Sequence, residues 1–147
     1  MLIRPMEPQD ISQVADIESK SFSMPWSEEG FLDALGYDDN ILLVATEEEK
    51  IVGYVCVYVS FDEGELTNIA VEPDCRGQGI GFELMDAVKT EAMNSSVSRI
   101  VLEVRVSNNP AITLYEKWGF TNIGVRKNFY EQPREDAYIM MYSAEDI

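Results

Sequence analysis

The chain has no histidine, and its 11 lysine and arginine residues are far outnumbered by 27 aspartates and glutamates. The formal charge of −16 at pH 7 excludes the positive field that draws proteins to nucleic-acid phosphate or anionic lipid. Basic or neutral partners are expected, with neither nucleic acid nor membrane among them. Long hydrophobic runs are also lacking. The longest, Ile51 to Val59, is far too short to span a bilayer, and Met1-Leu2-Ile3-Arg4-Pro5-Met6 contains no run of signal-peptide length, so a cytoplasmic protein is expected. The only two cysteines, Cys56 in a strand-like run and Cys75 in a loop-like one, make no metal spacing and are read as free thiols of a reducing compartment. No metal is implied.

What is present suffices for a real core: 46 % of the 147 residues are apolar, and a chain of about 150 residues buries roughly two-thirds of its surface. With no repeat or linker, residues 1–147 read as one domain. The acids are unevenly spread. Residues 1–75 hold 17 acids and 3 bases, net −14, whereas residues 76–147 hold 10 acids and 8 bases, net −2. Asymmetry alone leaves solubility and substrate steering both open.

Periodicity gives the order β-α-α-β-β-β-α-β-α-β-β. Leu2 to Arg4 is a short strand, and Pro8 opens a helix whose stripe is Ile11, Val14, Ile17 and Phe22. Ser27 caps a second helix that Gly36 ends. The β-branched and aromatic runs Ile41–Ala45, Ile51–Phe61 and Leu66–Val71 form an antiparallel meander, with Thr46 to Lys50 as a turn. A helix striped by Phe82, Leu84, Met85, Val88 and Ala92 follows, then a strand over Ile100–Val106. Asn109 caps the next helix, with Pro110 at its first position, and Gly119 closes it. Strands near Thr121–Val125 and Ala137–Tyr142 complete a mixed sheet with helices on both faces.

Between strand and helix lies Arg76-Gly77-Gln78-Gly79-Ile80-Gly81. Unpaired N–H groups and the helix dipole converge on an anion at such a place. The spacing is neither a dinucleotide fingerprint nor a P-loop, so an anion cradle and a plain tight turn both remain possible.

The chain resembles the GNAT superfamily of acetyl-CoA-dependent N-acetyltransferases, whose signature is Arg or Gln, two residues, Gly, one residue, Gly or Ala; here these are Arg76, Gly79 and Gly81. Asn68-Ile69-Ala70-Val71, Leu102-Glu103-Val104-Arg105, Ser107-Asn108, Ala111-Ile112, Leu114-Tyr115-Glu116, Gly119-Phe120, Pro25-Trp26-Ser27 and Arg134-Glu135-Asp136-Ala137 extend the resemblance to the RimI branch, the ribosomal-protein alanine N-acetyltransferases. The resemblance implies a GNAT fold: a mostly antiparallel mixed sheet of about seven strands, with splayed parallel strands at the acetyl-CoA site. It implies cofactor contacts from the strand end Ile69, Ala70 and Val71, through backbone groups of Ile69 and Val71. It further implies cofactor contact from Arg76, pyrophosphate contacts from the N–H groups of Gly77, Gln78, Gly79, Ile80, Gly81 and Phe82, and a hydrogen bond from Asn108. Glu103 is implied as general base and Tyr115 as general acid. Cys75 stands where a bulkier residue is expected, and Phe82 follows Gly81 directly.

Elementary chemistry bears on that pair. Direct attack on a thioester needs a neutral amine and a polarised carbonyl. Deprotonation at pH 7 costs about 1.4 kcal/mol for an α-amine with pKa near 8 and about 4.6 kcal/mol for a lysine near 10.4, which favours an N-terminal amine. A thiol of pKa about 8.5 needs only late protonation, which a phenol can supply. Ion pairing of Glu103 with Arg105 or Arg126, and core packing of Tyr115, are the competing readings. Trp26, Tyr37, Phe129 and Tyr130 are candidate acceptor-groove aromatics in loops. The expected partner is the N-terminus of a basic ribosomal protein, steered from the acidic half, and the expected state is monomer or weak dimer. A small amine or lysine acceptor is one rival; a non-catalytic acetyl-CoA-binding module is another.

Overall fold

A computed structural model describes residues 1–144. Its elements follow the expected order: β1 (Leu2–Pro5), α1 (Ile11–Ser21), α2 (Glu28–Leu35), β2 (Ile41–Glu47), β3 (Lys50–Ser60), β4 (Glu63–Val71), α3 (Ile80–Asn94), β5 (Arg99–Arg105), α4 (Asn109–Lys117), β6 (Thr121–Glu131) and β7 (Arg134–Ser143). The seven strands form one sheet in the order β1-β2-β3-β4-β5-β7-β6. Pairing is antiparallel at every junction except β4–β5, which is parallel.

The helices lie where their apolar stripes can be covered. Ile11, Val14 and Ile17 of α1 pack with Phe31 and Ala34 of α2 on one face of the sheet. On the other face, Ile80, Leu84, Met85 and Val88 of α3 cover Val55, Val57, Ile100 and Leu102. A side chain as fully shielded as Leu84 contributes about 1.5–3 kcal/mol.

Departures from expectation lie at element ends. Pro8–Asp10 is a separate 3-10 turn. The Asp10 carboxylate accepts from the Glu7 N–H at 2.8 Å and from both terminal nitrogens of Arg4 at 2.7 and 2.9 Å, which holds its carboxyl below the usual range. Phe22, expected in the α1 stripe, is the residue on which the helix ends and is exposed. Phe82 is likewise exposed, because Ile80 takes the core position that leads on to Leu84 and Val88. The β2–β3 turn is tighter than expected, with Glu48 and Glu49 at φ 50° and 70°, the left-handed pair of a two-residue hairpin. β6 runs on to Glu131, so Phe129 and Tyr130 sit on a strand, beside a register shift between Arg126 and Tyr130. Gly36 ends α2, and Gly119, at φ 96°, follows α4 as expected.

Candidate active site

Strands β4 and β5 stay together for only three pairs, Glu63–Arg99, Gly64–Ile100 and Glu65–Val101, and then part. Just beyond the last pair, Val57 is opposite Leu66 and Cys56 is opposite Asn68, so Thr67 is an extra residue that bends β4. Antiparallel alternation decides which groups face the gap. Glu72 donates its N–H to the Val52 carbonyl at 2.8 Å, so Ala70 and Asn68 turn their backbones to β3 as well. Ile69 and Val71 therefore point theirs into the gap. Of the strand end singled out from sequence, Ala70 is the member that does not face it; its side chain joins the α1–α2 core.

A cavity of about 370 Å³ opens at this gap, and Glu18, Trp26, Asn68, Glu103, Tyr115 and Tyr130 are among its lining residues. A larger hollow of about 590 Å³ lies near Asn40 and Phe61, and neither the glycine turn nor Glu103 or Tyr115 lines it.

The turn from β4 to α3 fits an anion. Gly77 and Gly79 have φ 81° and 83°, and Gly79 sits at the N-cap of α3. A Cβ at either glycine would meet nothing within 4 Å, so the turn leaves open space before a helix start whose N–H groups have no intrahelical acceptor. Gln78 and Phe82 are exposed there, Ile80 is buried, and Gly81 approaches Trp118. Arg76 acts locally: its Nε donates to the Val71 carbonyl at 3.1 Å and its Nη2 to the Ser21 hydroxyl at 3.2 Å, which ties the loop to the end of α1.

Glu103 and Tyr115 both line the cavity. Glu103 is half-buried on β5, and burial together with Glu65 raises its carboxyl pKa above the usual range, with Arg126 opposing. Its expected alternative partner is engaged elsewhere. Arg105 donates to the Glu135 carboxylate at 3.2 Å and to the Pro133 and Gln132 carbonyls at 2.8 and 3.2 Å, and its guanidinium stacks 4.2 Å from the Tyr130 ring centroid. Among the described residues Glu103 has no ion pair, and Arg126 reaches it only through its field. Tyr115 stands edge-on to Trp118 with ring centroids 5.6 Å apart, and burial, aided by Tyr130, pushes its phenol up to about 12. The core-packing reading of Tyr115 is met, and the residue also lines the cavity.

Asn108, not Asn109, caps α4: its Oδ1 accepts from the Ala111 N–H at 3.3 Å, which leaves its Nδ2 for a ligand. Of the acceptor aromatics, Trp26 and Tyr130 line the cavity. Tyr37 does not; it is 63 % exposed and connects only through Tyr58, whose ring lies 6.3 Å from Tyr37 and 6.2 Å from Trp26. Phe129 packs against Tyr130 and is exposed.

A buried carboxylate at the cavity wall escaped the sequence reading. Glu18 is 2 % exposed and accepts hydrogen bonds from the Tyr54 hydroxyl, the Trp26 N–H at 2.9 Å and the Asn68 Nδ2 at 2.9 Å. Its signal was positional: Glu18 lies four residues after Val14, on the stripe that α1 buries. Among the described residues no group of three or more acidic or cysteine side chains is placed to hold a metal ion.

The sequence profile of the acetyltransferase (GNAT) family matches residues 11–120. An Escherichia coli relative, [ribosomal protein bS18]-alanine N-acetyltransferase, is 36 % identical over 140 residues, covering 94 % of each chain. The crystal structure of the Escherichia coli ribosomal-protein-S18-alanine N-acetyltransferase superposes with a TM-score of 0.90 at 34 % identity, covering 97 % of this chain and 93 % of that one. The structure of Ard1 from Thermoplasma volcanium also gives 0.90, at 29 % identity and 97 % and 96 % coverage.

Proposed function

The chain belongs to the acetyltransferase (GNAT) family, and we propose that within it this protein acetylates the N-terminal α-amine of a basic small-subunit ribosomal protein, at alanine, in the cytoplasm. The observation that carries the reading is the parted β4–β5 seam, where Glu103, without an ion pair among the described residues, shares one cavity with Tyr115.

Acetyl-CoA supplies the acetyl group as an activated thioester. Backbone groups of Ile69 and Val71 hold its arm in the gap, the N–H groups from Gly77 to Phe82 hold its pyrophosphate, and Asn108 offers Nδ2. Glu103 takes the amine proton, directly or through one water. An α-amine asks for about 1.4 kcal/mol at pH 7, within reach of a carboxylate whose pKa is raised, and a lysine asks for about three times as much. Tyr115 stays protonated at any working pH. With its phenol at about 12 against a thiol near 8.5, full transfer is uphill by roughly 5 kcal/mol, so its hydroxyl stabilises the departing sulfur chiefly as a hydrogen-bond donor. Trp26 and Tyr130 flank the acceptor, and the Arg105–Glu135 pair fixes Tyr130.

The test is incubation with acetyl-CoA and a panel of alanine-initiated peptides, lysine peptides and free amines, with the acetyl group located by mass spectrometry. Acetyl on the α-amine of alanine-initiated peptides is expected. Acetyl on lysine or free amines alone would overturn the acceptor class, and cofactor binding without turnover would overturn catalysis.

A further inference from the structure

The oxygen of one buried amide is left unused. Among the described residues, the Asn68 Oδ1 is the buried side-chain polar atom with no hydrogen-bond partner, an omission that ordinarily costs about 1–3 kcal/mol. Its direction is fixed by chemistry. All three partners of Glu18 are donors, as a carboxylate requires, and a carboxylate has no proton to offer an amide oxygen. The Asn68 Nδ2 must therefore face Glu18, so the oxygen turns away from it. Glu18 is held in place from three elements, by Tyr54 on β3, by Asn68 on β4 and by the N–H of Trp26 ahead of α2. Asn68 is 4 % exposed, and it lines the cavity that Glu103 and Tyr115 also line.

This oxygen is free to accept from a molecule bound in the cavity, and its place in the fold says which one. Asn68 shares with Ala70 the face of β4 that is covered by α1, together with Glu18 and Trp26, whereas the glycine turn and α3 lie on the opposite face. On the function proposed above, the molecule that enters from this side, past Trp26, is the acceptor. A primary amine that points its lone pair at an acyl carbon has two N–H bonds left to place, and Glu103 accounts for one.

We propose that the Asn68 Oδ1 accepts the second N–H of the incoming primary amine, and that Glu18 is the positioning residue that keeps this oxygen turned toward it. The inference rests on the amine acetylation proposed above and adds a selection rule: the site counts N–H bonds. A secondary amine, with one N–H, leaves one of the two acceptors unpaired.

The test compares an alanine-initiated peptide with the same peptide starting in N-methylalanine, measuring kcat/KM for each and KM for acetyl-CoA in the wild type, Asn68→Ala and Asn68→Ser. The wild type is expected to favour the primary amine by about tenfold or more, and Asn68→Ala to lower kcat/KM for that peptide about 10–100-fold. The N-methyl peptide and the acetyl-CoA KM should move little. Glu18→Gln should add little to the loss once Asn68 is alanine. Equal losses on both peptides, or a loss carried by acetyl-CoA, would make Asn68 a structural or cofactor-side group and overturn the proposal. A wild type that takes both peptides equally well would overturn it whether or not the variants fold. Failure of the wild type on every amine would sink the proposed function instead, whereas normal acetylation by Asn68→Ala would sink this inference alone.

Discussion

Under α3 the sheet buries an apolar cluster, Leu84, Val88, Ile100, Leu102 and Phe120 among its members, whereas under α1 and α2 the carboxylates Asp10 and Glu18 are 4 % and 2 % exposed. Asp10 is tied to Arg4 and Glu7, whereas Glu18 lines the cavity, so for Glu18 the contrast matches what each side would present to a ligand. On the function proposed above, the α3 side offers mostly backbone, a helix start, two left-handed glycines and the strand amides of Ile69 and Val71, with Asn108 and Tyr115 beside them. Such groups need only rigid support, which hydrocarbon packing supplies. The α1 side offers side chains, and a buried carboxylate stays affordable only when donors surround it, as three do around Glu18.

Three measurements would break or sharpen this contrast. The largest effect belongs to the side-chain half. Glu103→Gln should lower kcat about 100-fold at pH 7, within the usual range for a general base. The raised carboxyl pKa of Glu103 puts the acid limb of the wild-type rate profile above the ordinary carboxylate range, because the base works only when deprotonated and is lost as pH falls through that value. The variant should lack that limb, and its deficit should shrink above pH 8, where an α-amine deprotonates unaided. A deficit constant with pH would remove the base role. Next comes the backbone half. Gly79→Ala meets no steric obstacle but must hold φ 83°, at a cost of about 1–2 kcal/mol, so calorimetry should show acetyl-CoA binding weakened about tenfold with kcat at saturation kept. A loss of kcat with affinity intact would contradict a purely backbone cradle. The smallest effect is ionic: raising salt from 0.05 to 0.3 M should raise KM for a basic peptide about two- to threefold and leave that for acetyl-CoA nearly unchanged. Equal responses would return the −14 half to a role in solubility.

Legibility divides along the same line. The order of elements and the glycine turn were readable, because both depend on neighbours in sequence: helical spacing from Val14 to Ile17, and Gly77 and Gly79 between a strand and an apolar stripe. The side-chain network was not. Glu18 sits one residue after Ile17 in a stripe that reads as core, and nothing local reveals that Tyr54 and Asn68, 36 and 50 residues away, supply its donors. Arg105 lies two residues from Glu103 on the same strand face, so spacing left the two as possible partners; Glu135, 30 residues on, decides the matter. Of two successive asparagines, the one that caps α4 is the one whose oxygen meets the N–H three residues ahead. Tyr37 shows the converse, an aromatic whose exposure gave no clue that Tyr58 stands between it and the cavity wall.

The early parting of β4 and β5 creates, in the middle of a seven-stranded sheet, something sheets normally show only at their rims: a short open edge. An open edge ordinarily invites any extended chain with amides at strand spacing. Two residues, Ile69 and Val71, are too few to template a foreign strand, and the edge stops at the glycine turn before α3. On the function proposed above, an edge too short for a foreign strand thus runs directly into the turn that would take a phosphate-tailed guest, both within residues 69–82.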